Sequence, residues 1–143
     1  MKDNKYTIIV CCQEGHGTLE ALKAFWRKEN ITAYNTWIDY DGNRHKLRSY
    51  DELVGNDAVL LIGYRGGVLQ DNNAIANDTR TQAQKNALFL ELFEIKSWFE
   101  KNKGDFKKLS IVNKCDLGAD GFPFRIKENP SFDAVAEYGF LFE

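Results

Sequence analysis

The chain has 143 residues, the length of one globular domain, and a formal net charge of −2 with acidic and basic residues interspersed. This balance predicts no basic surface that would bind nucleic acid, and no apolar stretch is long enough to span a bilayer. We therefore predict a single cytoplasmic domain with no nucleic-acid partner and no membrane span. The three cysteines, two of them adjacent at Cys11 and Cys12, match neither a disulfide framework nor a zinc site. Reduced thiols and no metal are expected.

The first half of the chain alternates between strand and helix patterns. Residues 6–12 are continuously apolar and rich in β-branched side chains, which is typical of a strand covered on both faces of a parallel sheet. After a glycine loop, Thr18 is placed to cap an amphipathic helix. We predict a second strand at 33–40, a short helix at 50–54 and a third strand at 58–62.

The second half begins with a polar segment and continues with the most apolar helix. Residues 63–82 are rich in glycine and asparagine, which predicts a long insertion loop. The helix at 83–101 is apolar over more than one stripe, so that deep packing against the sheet and contact with a partner both stay open. A fourth strand is predicted at 109–112, a final helix at 131–138 and a short fifth strand at 140–142.

This alternation predicts one α/β domain over residues 1–143. Its expected architecture has three layers, with an open, mostly parallel sheet of about five strands and helices on both faces. In such sheets, ligands bind beyond the carboxyl ends of the strands. The loops QEGHGT, DYDGN, YRGG and NKCDLG are therefore the candidate binding loops.

Two of these loops carry recognisable motifs. Asn113 to Leu117 read NKCDL directly after an apolar strand, and Asp39 to Gly42 read DYDG. In this order the loops resemble those of Ras-type small GTPases, which implies a P-loop GTPase-like fold. In that family the carboxylate at the position of Asp116 pairs with the N1–H and amine of guanine, and the stem of the preceding lysine covers the base. The resemblance implies GDP or GTP as ligand and the following nucleotide-binding residues: Gly15, Gly17, Thr18, Asp39, Gly42, Asn113, Lys114 and Asp116.

The phosphate-binding loop departs from the family pattern. A working loop reads G-x-x-x-x-G-K-[ST], in which backbone N–H groups and a lysine hold the phosphates. Here Gly17 replaces the lysine, His16 replaces the glycine before it, and Glu14 adds a negative charge. The segment before Asp39 is also too short for the family's antiparallel second strand. Asn43 occupies the position of the glutamine that orients water.

These departures imply a pseudo-GTPase that does not hydrolyse GTP and acts through protein contacts. The helix at 83–101 and the loop at 63–82 are the predicted contact segments. A first alternative is weak guanine-nucleotide binding without a switch cycle, through Asp116 and backbone donors near Gly15. A second alternative is a Rossmann-like protein that processes nucleosides or NAD or binds a nucleotide signal. Residues 78–84 faintly resemble the Asp-x-Gly-Thr-x-x-Glu pattern of nucleoside deoxyribosyltransferases, although Gln84 replaces the nucleophilic carboxylate.

Overall fold

The structure, a computed structural model, describes residues 6–29, 34–50, 59–104, 109–117 and 128–143. The strands are β1 (Tyr6–Cys12), β2 (Thr36–Ile38), β3 (Arg44–Lys46), β4 (Val59–Tyr64), β5 (Val68–Leu69), β6 (Asn72–Ala76) and β7 (Leu109–Asn113). The helices are α1 (Leu19–Glu29), α2 (Gln82–Lys103) and α3 (Ala134–Tyr138), with 3₁₀ turns at Lys114–Leu117 and Gly139–Phe142. No helix in these segments is both long and apolar enough to cross a membrane.

The main sheet has five strands in the order β3-β2-β4-β1-β7. All neighbouring pairs are parallel except β2 and β3, which are antiparallel. The central pair is buried along most of its length, because β1 and β4 are apolar on both of their faces. The predicted mixed α/β architecture with a mostly parallel sheet of five strands is confirmed.

The two faces of the sheet are covered by different helices. On one face, Ile8 and Ile62 belong to the same buried cluster as Leu88, Leu92 and Ile95 of α2. On the other face, alternate residues of the same strands form a smaller cluster. The helix α1 contributes to that second face, where its buried Leu19 and Trp26 side chains pack with Trp37 of β2.

Local hydrogen bonds determine where α2 begins and ends. The hydroxyl of Thr81 accepts from the backbone of Gln84, whose side chain accepts from the backbone of Thr81, so that the two residues form a capping box. The helix ends at Gly104, which has a φ of 92°. The Gln84 amide is fully buried and donates to the Arg65 carbonyl at 3.0 Å. Gln84 therefore caps the beginning of α2 and hydrogen-bonds to the loop after β4. The suggested resemblance of this segment to nucleoside deoxyribosyltransferases is wrong.

Two predicted elements differ from the structure. The sequence analysis predicted no strand between those at 33–40 and 58–62, but β3 follows the DYDG turn and pairs antiparallel with β2. The strand expected at 140–142 is instead a 3₁₀ turn in which Leu141 and Phe142 are buried. A run of three apolar residues does not distinguish a strand from a helical turn, since each can bury its side chains. Most of the helix expected at 50–54 lies outside the described residues.

The segment 63–82 contains more regular structure than its composition indicated. After β4 ends, β5 and β6 form a two-stranded antiparallel hairpin, and Asn77 donates to the Gly67 carbonyl at 3.0 Å. The side chains of β6 are mostly exposed, which explains why the segment is polar although it is a strand. Five stretches of the chain lie outside the description, so a single domain over 1–143 stays a prediction.

Candidate functional site

Four parallel strands end at one edge of the main sheet, which we call the carboxyl edge. Because β1, β2, β4 and β7 run in the same direction, the loops that follow them meet there. These loops begin at Gln13, Asp39, Arg65 and Lys114. The loops predicted from the sequence to form a site are therefore brought together by the fold.

The loop after β1 is held by backbone hydrogen bonds to the loop after β4. Gln13 donates to the Tyr64 carbonyl at 2.8 Å, and Gly15 and Gly66 exchange two hydrogen bonds of 3.2 and 2.7 Å. Glu14, between them, has a φ of 60° and a buried side chain. Two of the N–H groups that would have to surround a phosphate, those of Gln13 and Gly15, are thus already paired with protein carbonyls.

A buried asparagine connects three segments at this edge. The Asn129 amide oxygen accepts from the Cys12 backbone at 2.8 Å, and its nitrogen donates to the Glu14 carboxylate at 3.0 Å. The Asn129 carbonyl accepts from the Cys115 backbone at 2.7 Å. Asn129 itself is fully buried and precedes a cis proline. The segment before α3 is thereby joined to both β1 and the turn after β7.

The residue after that proline continues the same connection. Ser131 donates from its backbone to the Tyr64 hydroxyl at 3.2 Å, and its own hydroxyl donates to the Gly67 carbonyl. Gly67 has a φ of 91°, and a side chain there would collide with Cys12. Because the Cys12 side chain lies against Gly67, there is no space for a larger residue at position 67.

The two thiols of β1 lie beneath this edge in protonated form. Burial raises the pKa of the Cys11 thiol to about 12 and that of Cys12 to about 11, while the nearby Lys114 ammonium acts weakly in the opposite direction. Burial also raises the pKa of the Tyr34 hydroxyl, which interacts with the Cys11 thiol. Thiols with such values are inert near neutral pH, because the thiolate is the nucleophilic and metal-binding form.

Lys114 is a cation whose charge lowers the pKa of both thiols. It follows β7 directly, its side chain is half-buried, and among the described residues no carboxylate forms an ion pair with its ammonium. The neighbouring Asp116 is exposed. A lysine in this position can accept the carboxylate of a ligand as an ion-pair partner.

A second polar cluster lies on the β2 and β4 side of the edge. The Arg65 guanidinium donates to the His16 carbonyl at 2.8 Å, pairs with the Asp39 carboxylate at 3.0 Å and lies 4.4 Å from the centre of the Tyr40 ring. The His16 ring contacts the Tyr40 hydroxyl and, through Nε2, the Val68 carbonyl at 2.9 Å. These half-buried side chains offer donors, acceptors and an aromatic face to a bound molecule.

The described residues contain no group of three or more His, Cys, Asp or Glu side chains that could hold a metal ion. The polar side chains at the carboxyl edge include an amide, a lysine, an arginine, a histidine, hydroxyls and the carboxylates of Glu14, Asp39 and Asp116, and most of them hydrogen-bond to the protein. Chemically, the arrangement is suited to binding polar groups by hydrogen bonds and charge.

The residues predicted to bind a nucleotide have the following positions. Gly17 is exposed, and Thr18 caps α1 by accepting from Ala21 at 3.2 Å. Gly42 has a φ of 83° and packs closely on the start of α2. The remaining residues lie at the carboxyl edge as described above: Gly15, Asp39, Lys114 and Asp116.

Asn113 is the predicted site residue whose contacts are most informative. Its buried amide accepts from the Ala134 backbone at 2.8 Å and donates to the Asp133 carboxylate at 3.1 Å. Asn113 therefore fixes the beginning of α3. The sequence analysis did not single out Asn129, Ser131 or Arg65, because no local pattern indicates hydrogen-bond partners that lie between 26 and 117 residues away in the sequence.

Comparison with known proteins gives a fold relationship and no family. No protein-family model matches the chain, and no curated protein is significantly similar to it. A solved structure of bumblebee PGRP-SA, a peptidoglycan recognition protein, matches with a TM-score of 0.52 at 15% sequence identity. The match covers 89% of this chain and 80% of that chain. The shared feature is the fold.

This relationship corrects the resemblance to small GTPases. The structural neighbour is not a GTPase, so the prediction of a degenerate Ras-like protein is wrong, as are the pseudo-GTPase function and its nucleotide-based alternatives. The Gln13 and Gly15 N–H groups of the loop after β1 give a physical reason, since they donate to protein carbonyls instead of facing a phosphate. Those corrections concern the function; GDP or GTP as a bound ligand is a separate prediction from the sequence that neither the structure nor the comparison tests.

Proposed function

We propose that this protein binds a soluble peptidoglycan fragment at the carboxyl edge of its sheet without cleaving it. The observation that carries the proposal is the fold shared with PGRP-SA over 89% of the chain. Because one fold can host many functions, this argument is an analogy that needs support from the site itself. That support comes from the polar groups at the carboxyl edge.

The chemistry of a peptidoglycan fragment matches these groups. Such a fragment joins amino sugars to a short peptide with free carboxylates, so it presents hydroxyls, amides and negative charge. Lys114 is placed to pair with a carboxylate, and the cluster around Arg65 and Tyr40 offers donors and an aromatic face to a sugar or amide. The raised pKa values of the β1 thiols favour binding over covalent chemistry at this edge.

Calorimetric titration with a soluble muropeptide tests the proposal. We expect saturable heat with the wild-type protein, and binding about tenfold weaker for Lys114→Ala, since a hydrogen bond to a charged group contributes about 1.5–3 kcal/mol. Lys101→Ala, at an exposed position of α2, is the matched control and should bind as the wild type does. A chitin oligosaccharide without the peptide should bind more weakly and be insensitive to Lys114→Ala.

The same samples decide whether the ligand is cleaved. Mass spectrometry after incubation should recover the muropeptide intact. Recovery of separated sugar and peptide would contradict the binding-only proposal, and the absence of heat with folded wild-type protein at millimolar ligand would contradict binding altogether. With the predicted cytoplasmic location, the proposal concerns soluble fragments and not the intact cell wall.

We also propose that α2 contacts a protein. The support is a group of exposed apolar side chains on its outward face, including Leu90 and Phe93. The other segment predicted to contact a protein, 63–82, carries the exposed Ile75 on β6. No nucleic-acid partner is proposed, because the net charge and its distribution give no basic surface.

A further inference from the structure

The outward face of α2 carries aromatic side chains that the core does not use. Phe89, Leu90 and Phe93 of α2, together with Phe140 of the C-terminal turn, are between 39% and 59% exposed. The Phe89 ring stacks on both Phe93 and Phe140 with ring centroids 6.4 Å apart. These four side chains form one continuous surface, which we call the aromatic patch.

The aromatic patch is additional to the face that α2 buries. Leu88, Leu92, Ile95 and Phe99 already fill the side of the helix that packs on the sheet. From the exposed fractions and the usual size of these side chains, the patch presents roughly 400 Å² of apolar surface. The largest patch on a typical monomer is about 300–600 Å² and is often functional. The patch is therefore large enough to form the centre of an interface.

Charged residues flank the patch in a self-complementary order. Lys85 precedes it on α2 and Glu100 follows it, on the same exposed side of the helix. The two residues are equally far along the helix from a point between Leu92 and Phe93. If two copies of α2 pack antiparallel around a two-fold axis at that point, each Lys85 lies opposite Glu100 of the partner subunit. A two-fold interface requires this kind of self-complementarity.

We propose that the aromatic patch binds a second copy of this chain, with the two α2 helices antiparallel and Lys85 facing Glu100 of the partner subunit. Phe93 lies next to the two-fold axis, and Phe89, with Phe140 stacked on it, extends the apolar contact towards the N-terminal end of each α2 helix. Two patches together bury roughly 800 Å² of apolar surface, and flanking polar contacts bring the total towards the roughly 1,000 Å² that a specific interface needs. This inference rests on the protein contact proposed for α2 and is independent of the ligand site.

Sedimentation equilibrium of the full chain over a wide concentration range tests the contact. The wild type is expected to form a reversible dimer, and Phe93→Glu should weaken dimerisation at least about tenfold, because it places a charge at the centre of an apolar interface. Phe25→Glu is the matched control, since Phe25 is an exposed phenylalanine at 55% on α1. It should leave the dimerisation constant unchanged. Circular dichroism establishes that each variant is folded.

A charge exchange tests the orientation. Lys85→Glu and Glu100→Lys should each weaken the dimer, and the double variant should regain most of the wild-type constant. A monomer at all concentrations, open-ended association, or a double variant no stronger than the single ones would overturn the proposal. Muropeptide titration of Phe93→Glu separates the two proposals: unchanged binding together with lost dimerisation is expected, and lost binding without lost dimerisation would overturn the assignment of the patch.

Discussion

Glu91 of α2 is a fully buried carboxylate whose removal should destabilise the protein strongly. It accepts hydrogen bonds of 2.6 Å from both the Thr36 and Tyr50 hydroxyls. It also forms ion pairs with Arg44 at 3.0 Å and Lys46 at 3.4 Å. These contacts connect α2 to β2, to β3 and to the segment that follows them.

The expected loss in the free energy of unfolding depends on which side chain replaces the Glu91 carboxylate. Glu91→Ala leaves two buried hydroxyls without their acceptor and removes the counter-charge, so we expect a loss of about 3–5 kcal/mol in the free energy of unfolding. For a chain of this length that loss lowers the melting temperature by roughly 10 °C or more. In Glu91→Gln the side chain keeps its shape and one acceptor oxygen, and Arg44 and Lys46 still pair with the Glu94 carboxylate at 2.6 Å. The expected loss is then about 1–3 kcal/mol.

Urea unfolding followed by circular dichroism measures both values, and the slope with urea should be the same for all variants. Glu94→Gln is the matched control, because Glu94 contacts the same two cations but is 46% exposed, and it should cost at most about 1 kcal/mol. A loss for Glu91→Gln no larger than for Glu94→Gln would refute the reasoning. It would mean that the buried carboxylate contributes nothing beyond an exposed ion pair.

Four further predictions concern the carboxyl edge and its supports. Iodoacetamide at pH 8 should label the native protein once, at the half-buried Cys115, and should label all three cysteines in urea, as counted by mass spectrometry. Labelling of the β1 thiols in the native protein would contradict their raised pKa values. The free energy of unfolding should also fall as pH rises from 9.0 towards 12, because the unfolded chain loses thiol protons that the folded chain retains. Gly67→Ala should lower the free energy of unfolding, measured in urea, by more than about 3 kcal/mol, because its methyl group collides with Cys12. Gly104 has a similar φ but open space around it, so Gly104→Ala should lower the free energy of unfolding by only about 1 kcal/mol. Asn129→Ala should lower the free energy of unfolding by about 2–3 kcal/mol. A variant as stable as the wild type would show that the Asn129 amide does not stabilise the carboxyl edge.

Much of the fold could be predicted because burial leaves a local pattern. The uninterrupted apolar run of β1 indicated a strand inside a parallel sheet, and the structure places β1 between β4 and β7. The helix α2 was predicted within two residues of its observed ends. By contrast, β3 could not be predicted, because Arg44–Lys46 is polar and charged and owes its strand conformation to pairing with β2.

The candidate site could be predicted only in part. The rule that loops meet at the carboxyl ends of parallel strands correctly indicated which loops come together. It did not indicate Ser131 or Asn129, which hydrogen-bond to residues far away in the sequence. A polar residue in a sequence gives no sign of whether it will be solvated or paired in the core. That outcome depends on tertiary contacts that a local pattern does not contain.

Asn113 shows why a short motif at the end of a strand misled the assignment of function. A chain that leaves a buried strand needs a polar side chain to pair with the backbone of whatever segment packs beside it. In this protein that segment is α3, and the Asn113 amide both accepts from Ala134 and donates to Asp133. An asparagine that binds a neighbouring loop in a nucleotide site occupies the same place for the same physical reason. The residue and its position therefore report the end of a parallel strand. The function proposed above depends instead on side chains such as Lys114, whose ammonium forms no ion pair with a carboxylate of the described residues.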